Sequence, residues 1–132
     1  MRNIPPGASH EKRMLVTTEL AIDHLGREDA RVLATPNLVW QLELAAREAI
    51  LPFLDGGEES VGTEVHIRHL AATPIGMSVA FRARVEQVEG RRVRFLVEAE
   101  DEREIIANGT HERFVVQIAK FVALLAAKSA GH

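Results

Sequence analysis

Wound as an α-helix at about 100° per residue, the stretch from Pro36 to Leu54 is apolar around most of its circumference. Leu38, Val39, Leu42, Ala46, Ala49, Ile50 and Phe53 form a broad arc, and Trp40, Leu44 and Leu51 add a second flank. Only Gln41 and Glu48 share a clearly polar face. A helix with this profile has to be enclosed by protein, as when a sheet wraps around it. Thr35-Pro36 marks its start, since threonine caps free backbone donors and proline fits the first turn. Asp55-Gly56-Gly57 marks its end.

The rest of the chain supplies strands for such a sheet. Lys12–Leu20 is strand-like, after a proline-containing stretch, residues 1–10, that reads as a loose arm. Residues 21–34 are charged and aperiodic, a connecting loop or short helical turn of a length often used for lids. Beyond the helix, Val61, Thr63, Val65, Ile67 and His69 alternate with Gly62, Glu64, His66 and Arg68, which assigns the first set to the inner face. After a turn at residues 71–76, the alternation continues through Met77–Glu86 and, past the Glu89-Gly90 hairpin turn, through Arg92–Ala99. Asp101-Glu102 reverses the chain into Ile105–Ile118, with a bulge expected around Gly109 and a short helix over residues 119–128. The order predicts one α+β domain over residues 1–132, a curved antiparallel sheet wrapped around one long central helix. That order resembles the hot-dog fold.

Several function classes are disfavoured. There are no cysteines, so disulfides, thiolate metal sites and a sulfur nucleophile are excluded, and the cytoplasm is the expected location. The net charge of −3, with arginines spread along the chain, opposes nucleic-acid binding. No run approaches the ~20 apolar residues that span a bilayer, so no membrane partner is expected. Metal-ligand spacings, GxGxxG, GxxxxGK[ST] and GxSxG are all missing, and no metal or other cofactor is implied.

Two polar residues occupy positions where the pattern wants apolar ones. Glu43 lies beside Ile50 and Leu54 on the helical wheel; its alternatives are an ion pair with Arg47 one turn on, or working chemistry. His69 shares a strand face with Val65 and Ile67, as a hydrogen-bonded core residue or as half of an acid–base pair with Glu43. Thr35, the expected N-cap, puts a hydroxyl at the positive end of the same helix. His66 has outward parity, and His10, His24 and His132 fall in loops or tails. His111 is inward or solvated depending on the bulge.

The segments VLATPNLVWQLELAAREAI, SVGTEVHIRHLAATPIGM and NGTHERFVV resemble the fluoroacetyl-CoA thioesterase family of hot-dog proteins, over Val32 to Lys120. The resemblance implies that Thr35, Glu43 and His69 form a catalytic set and that Gly62 and Arg113 line the substrate site. It implies hydrolysis of an acyl-CoA to free acid and CoA by a homodimer whose sheets join edge to edge. The stretch before Thr35, residues 26–33, lacks the family's aromatic lid residue, so a small or medium acyl group other than fluoroacetyl is expected. Other readings are a non-catalytic acyl-CoA or small-ligand binding protein, a hydratase and a structural dimer.

Overall fold

The computed structural model describes residues 1–131; His132 lies outside the described residues. Five antiparallel strands form one sheet in the order β1-β3-β4-β5-β2: β1 Ser9–Leu15, β2 Glu58–His69, β3 Ser78–Glu89, β4 Arg92–Glu100 and β5 Ile105–Gln117. The long helix α1, Thr35–Ile50, packs against all five strands, and α2, Ile118–Ser129, follows β5. The expected α+β architecture is thus observed. Among the described residues no helix is long and apolar enough to cross a membrane.

Alternation places the core. Val79, Phe81, Ala83 and Val85 of β3 and Val93, Phe95, Val97 and Ala99 of β4 are buried, facing Leu38, Leu42, Ala45, Ala46, Ala49 and Ile50 of α1. Each large side chain buried in this way contributes about 1.5–3 kcal/mol. Pro52 lacks an N–H, and α1 gives way to a short 3-10 turn at Leu51–Phe53 instead of continuing as α-helix to Leu54.

Four local expectations are corrected. The first ten residues are not a loose arm: Ile4 is buried, and the Arg2 and Gly7 N–H groups donate to Phe53 O and Val85 O, both at 2.8 Å. The first strand starts earlier and stops at Leu15, because Thr18–Leu20 turns into a 3-10 segment. Gln41 is buried while Trp40 is 55% exposed, so of the expected polar face only Glu48 stays open, beside a stripe of Trp40, Glu43 and Arg47. Finally, β5 pairs regularly through Gly109; the bulge sits in β2, between Gly62 and Glu64.

Residues 21–34 form a tied-down flap. Ala21 bridges Leu33, and the Arg31 guanidinium donates to Ile22 O at 3.1 Å and Thr18 O at 2.9 Å. Leu33 N–H donates to Thr73 O at 2.8 Å, which docks the flap on the turn after β2 and delivers the chain into α1.

Candidate active site

Thr35 is the first residue of α1, and the N-cap is Ala34 in an extended conformation (φ −73°, ψ 138°). The expected capping role is therefore not taken up. Thr35 Oγ1 instead lies 2.7 Å from Nδ1 of His69, the last residue of β2. Burial pushes the His69 imidazole below its ordinary pKa, favouring the neutral ring. When Nδ1 accepts the threonine proton, the ring proton occupies Nε2. Among the described residues that buried atom has no hydrogen-bond partner. A neutral imidazole hydrogen-bonded to a hydroxyl is the arrangement by which a general base activates an oxygen nucleophile.

Glu43 belongs to a second cluster. Its Oε1 is 3.9 Å from both Arg113 Nη1 and His111 Nε2, and its side chain is only a quarter exposed. Arg113 is held rigidly: Nε donates to Ser60 Oγ at 2.7 Å, Nη2 to Ser60 O at 2.9 Å, and Nη1 approaches His111 Nε2 at 3.2 Å. Burial lowers the Arg113 pKa, opposed by Glu43 and Glu59. His111 is inward and 2% exposed, stacked on Phe95 with centroids 5.9 Å apart. Burial lowers its pKa, and the neutral ring donates Nδ1–H to Glu64 O at 2.8 Å, leaving Nε2 to accept from Arg113.

The bulge in β2 brings Gly62 into this cluster. Simple alternation puts Gly62 outward, but the extra residue, Thr63, restarts the pattern. Gly62 pairs with Arg113 above the bulge, and Val65, Ile67 and His69 pair with His111, Gly109 and Ala107 below it. A Cβ on Gly62 would stand 2.6 Å from Glu43 Oε1 and 3.2 Å from His111 Cε1, so the missing side chain is what admits the carboxylate.

The five expected site residues thus fall into two groups, Thr35 with His69 and Glu43 with Gly62 and Arg113. The expected Glu43–His69 pair is not made: Glu43 faces His111 and Arg113 instead. Thr35 and Glu43 are eight residues apart, about 12 Å along the helix axis at 1.5 Å per residue. The alternative Glu43–Arg47 pair is not made either, because Arg47 grips Glu59 with Nε at 3.0 Å and Nη2 at 2.8 Å. His111 and Ser60 are site residues that the sequence did not assign. The parity shared by Ala107, His111, Arg113 and Val115 was the available signal for His111.

Comparison with known proteins points the same way. A family model described as fluoroacetyl-CoA-specific thioesterase matches residues 16–119. The fluoroacetyl-CoA thioesterase of Streptantibioticus cattleyicolor is 41% identical over 102 residues, 77% of this chain and 73% of that protein. A solved structure of the fluoroacetyl-CoA thioesterase FlK superposes with a TM-score of 0.86 at 34% identity, covering 96% of this chain and 98% of that one. A thioesterase superfamily member from Thermus thermophilus superposes with a TM-score of 0.87 at 40% identity, covering 96% and 94%. With both the sequence match and the architecture in agreement, the chain belongs to the fluoroacetyl-CoA-specific thioesterase family, built on the hot-dog fold.

Proposed function

We propose that this protein hydrolyses acyl-CoA thioesters with a small or medium acyl group, giving the free acid and CoA. The observation that carries the reading is the 2.7 Å contact between Thr35 Oγ1 and a neutral His69 at the start of α1. Thr35 Oγ attacks the thioester carbonyl while its proton passes to His69 Nδ1. The C–S bond then breaks, its electron pair leaves on sulfur, and His69 returns the proton to give CoA thiol. Water, deprotonated by the same imidazole, then attacks the acyl carbon; the bond to Thr35 Oγ1 breaks, His69 returns the proton to that oxygen, and the free acid leaves. The positive end of α1 favours the oxyanion in both halves.

Glu43 enters through a second copy of the chain. Within one chain Glu43 lies about 12 Å along the helix axis from Thr35, and β2 is an edge strand with its outer side unpaired. We place a homodimer contact along this edge, with the Thr35–His69 pair of one subunit facing the Glu43–Arg113 cluster of the other. The open side of α1, where Trp40 is 55% exposed, is then covered.

The test is release of free thiol from a panel of acyl-CoAs by wild type, Thr35→Ala, His69→Ala and Glu43→Gln, each checked for folding. Losses of roughly 10²–10⁴ in kcat are expected for the histidine variant, the range for removing a general base. Mixing His69→Ala with Glu43→Gln is expected to restore part of the activity, since mixed dimers contain one intact site. Binding of acyl-CoA with no release by the wild type would replace the hydrolase by the non-catalytic binding protein. No recovery on mixing would confine the site to one subunit.

A further inference from the structure

The turn after His69 contains a buried pair that the site as described leaves unused. Thr73 is fully buried and its hydroxyl donates to Asp101 Oδ2 at 2.8 Å. The other oxygen, Oδ1, accepts the backbone N–H groups of Arg103 at 2.8 Å and Glu104 at 3.0 Å. Asp101 is 8% exposed, and these donors outweigh burial and hold its carboxyl below its ordinary pKa. A buried carboxylate satisfied on both oxygens by fixed donors is a rigid anchor.

What the anchor holds is the two arms of the Thr35–His69 contact. Thr73 lies four residues after His69, and its carbonyl accepts Leu33 N–H, two residues before Thr35, at 2.8 Å. The neighbouring Pro74 bridges Val32, and Leu70 N–H donates to Ile106 O at 2.6 Å. The segment carrying the hydroxyl and the segment carrying the imidazole therefore meet at one residue, whose side chain is fixed to the β4–β5 connection. Misplacement by an ångström at a reacting pair costs rate out of proportion to stability.

We infer that Thr73 and Asp101 are positioning residues that set the Thr35–His69 distance, acting on the rate of the chemical step without touching substrate. The inference rests on reading Thr35 and His69 as the reacting pair. Thr73→Val keeps volume and removes the hydroxyl. It is expected to lower kcat about 10- to 100-fold, the scale of a misplaced reacting group, with KM nearly unchanged. Thr73→Ser restores the donor and is expected to recover most of the loss.

The deciding readout is the ¹⁵N NMR signal of His69 Nδ1, which reports its hydrogen bond whether or not any substrate is turned over. In Thr73→Val it is expected to move toward the value in Thr35→Val; in Thr73→Ser it stays at the wild-type value. A folded Thr73→Val protein with the wild-type signal and wild-type kcat overturns the inference. If Thr73→Val does not fold, Asp101→Asn takes the same measurements with the same two outcomes. A wild type that hydrolyses no acyl-CoA defeats the thioesterase reading alone, and the NMR comparison still decides the positioning role.

Discussion

Gly62 shows how a single missing side chain shapes the site. The space a Cβ would need is filled by Glu43 Oε1, the far end of a flexible side chain, with His111 and Arg113 beside it. Gly62→Ala therefore asks the carboxylate, not the backbone, to move. The expected result is a protein that unfolds at nearly the wild-type urea concentration, with acyl-CoA turnover reduced about 10- to 100-fold, as for other small displacements of working groups. Unchanged turnover would mean that the seat of Glu43 beside Arg113 is irrelevant to the reaction. At this scale the sequence was partly legible. Glu43 and His69 stood out as polar residues at apolar positions, and so their interest was visible without coordinates. Their partners were not, because Arg47 chose Glu59 and Thr35 chose His69 through contacts between elements, which helical and strand periodicities do not encode.

Between elements, one inserted residue and one close approach decide how β2 meets β5. The bulge at Thr63 lets Ser60 and Gly62 face α1 on one side of it and Val65, Ile67 and His69 on the other. A strict alternation through β2 therefore places its second half correctly and its first half on the wrong face. Glycine was a misleading marker here. Gly109 is flat in its strand, and its reason is distance: a Cβ there would stand 2.8 Å from Ile67 Cα and closer still to the His66 carbonyl. Neither of those atoms can swing away. Gly109→Ala is expected to force β2 from β5 and to destabilise the protein by about 1–3 kcal/mol or more, the cost of overpacking against rigid neighbours. Urea unfolding of this variant beside Gly62→Ala separates the two cases, since both add one methyl but only one meets backbone. Equal unfolding midpoints would show that β2 and β5 yield easily at this register. The existence and start of α1 and the pairing of the β3–β4 hairpin were legible because their apolar periods are long. The arm and the flap were not, because they are set by hydrogen bonds to segments distant in sequence, and the bulge was not, because one extra residue in β2 leaves no mark on the alternation.

For the molecule as a whole, the two inward histidines tie stability to pH. His69 and His111 both have pKa values lowered by burial; Arg113 further opposes protonation of His111, whereas Glu43 and Glu112 favour it. In the unfolded chain both imidazoles titrate near the ordinary value of about 6.5. Below that value the unfolded state binds protons that the folded state does not, so stability rises with pH across this window. The contribution of the pair is complete above about pH 6.5 and is lost as pH falls toward the lowered folded values. Asp101 and Glu59 act in a second, lower window. Hydrogen bonds overcome burial to hold Asp101 down, and Arg47 chiefly holds Glu59 down. Their contribution is present above the ordinary carboxylate range and is lost as pH falls through the lowered values. The urea midpoint is thus expected to be flat from pH 8 to about 7, to fall first below about 6.5 and to fall again below about 4. His111→Gln removes one of the two imidazoles and is expected to be less stable at neutral pH, yet to lose less between pH 7 and 5 than the wild type. A wild-type midpoint that rises on acidification through pH 6 would mean that the buried rings are charged in the folded protein. In that event His69 would hold its proton instead of accepting one from Thr35, and the acid limb of the kcat profile would lie above pH 6.5 instead of below it.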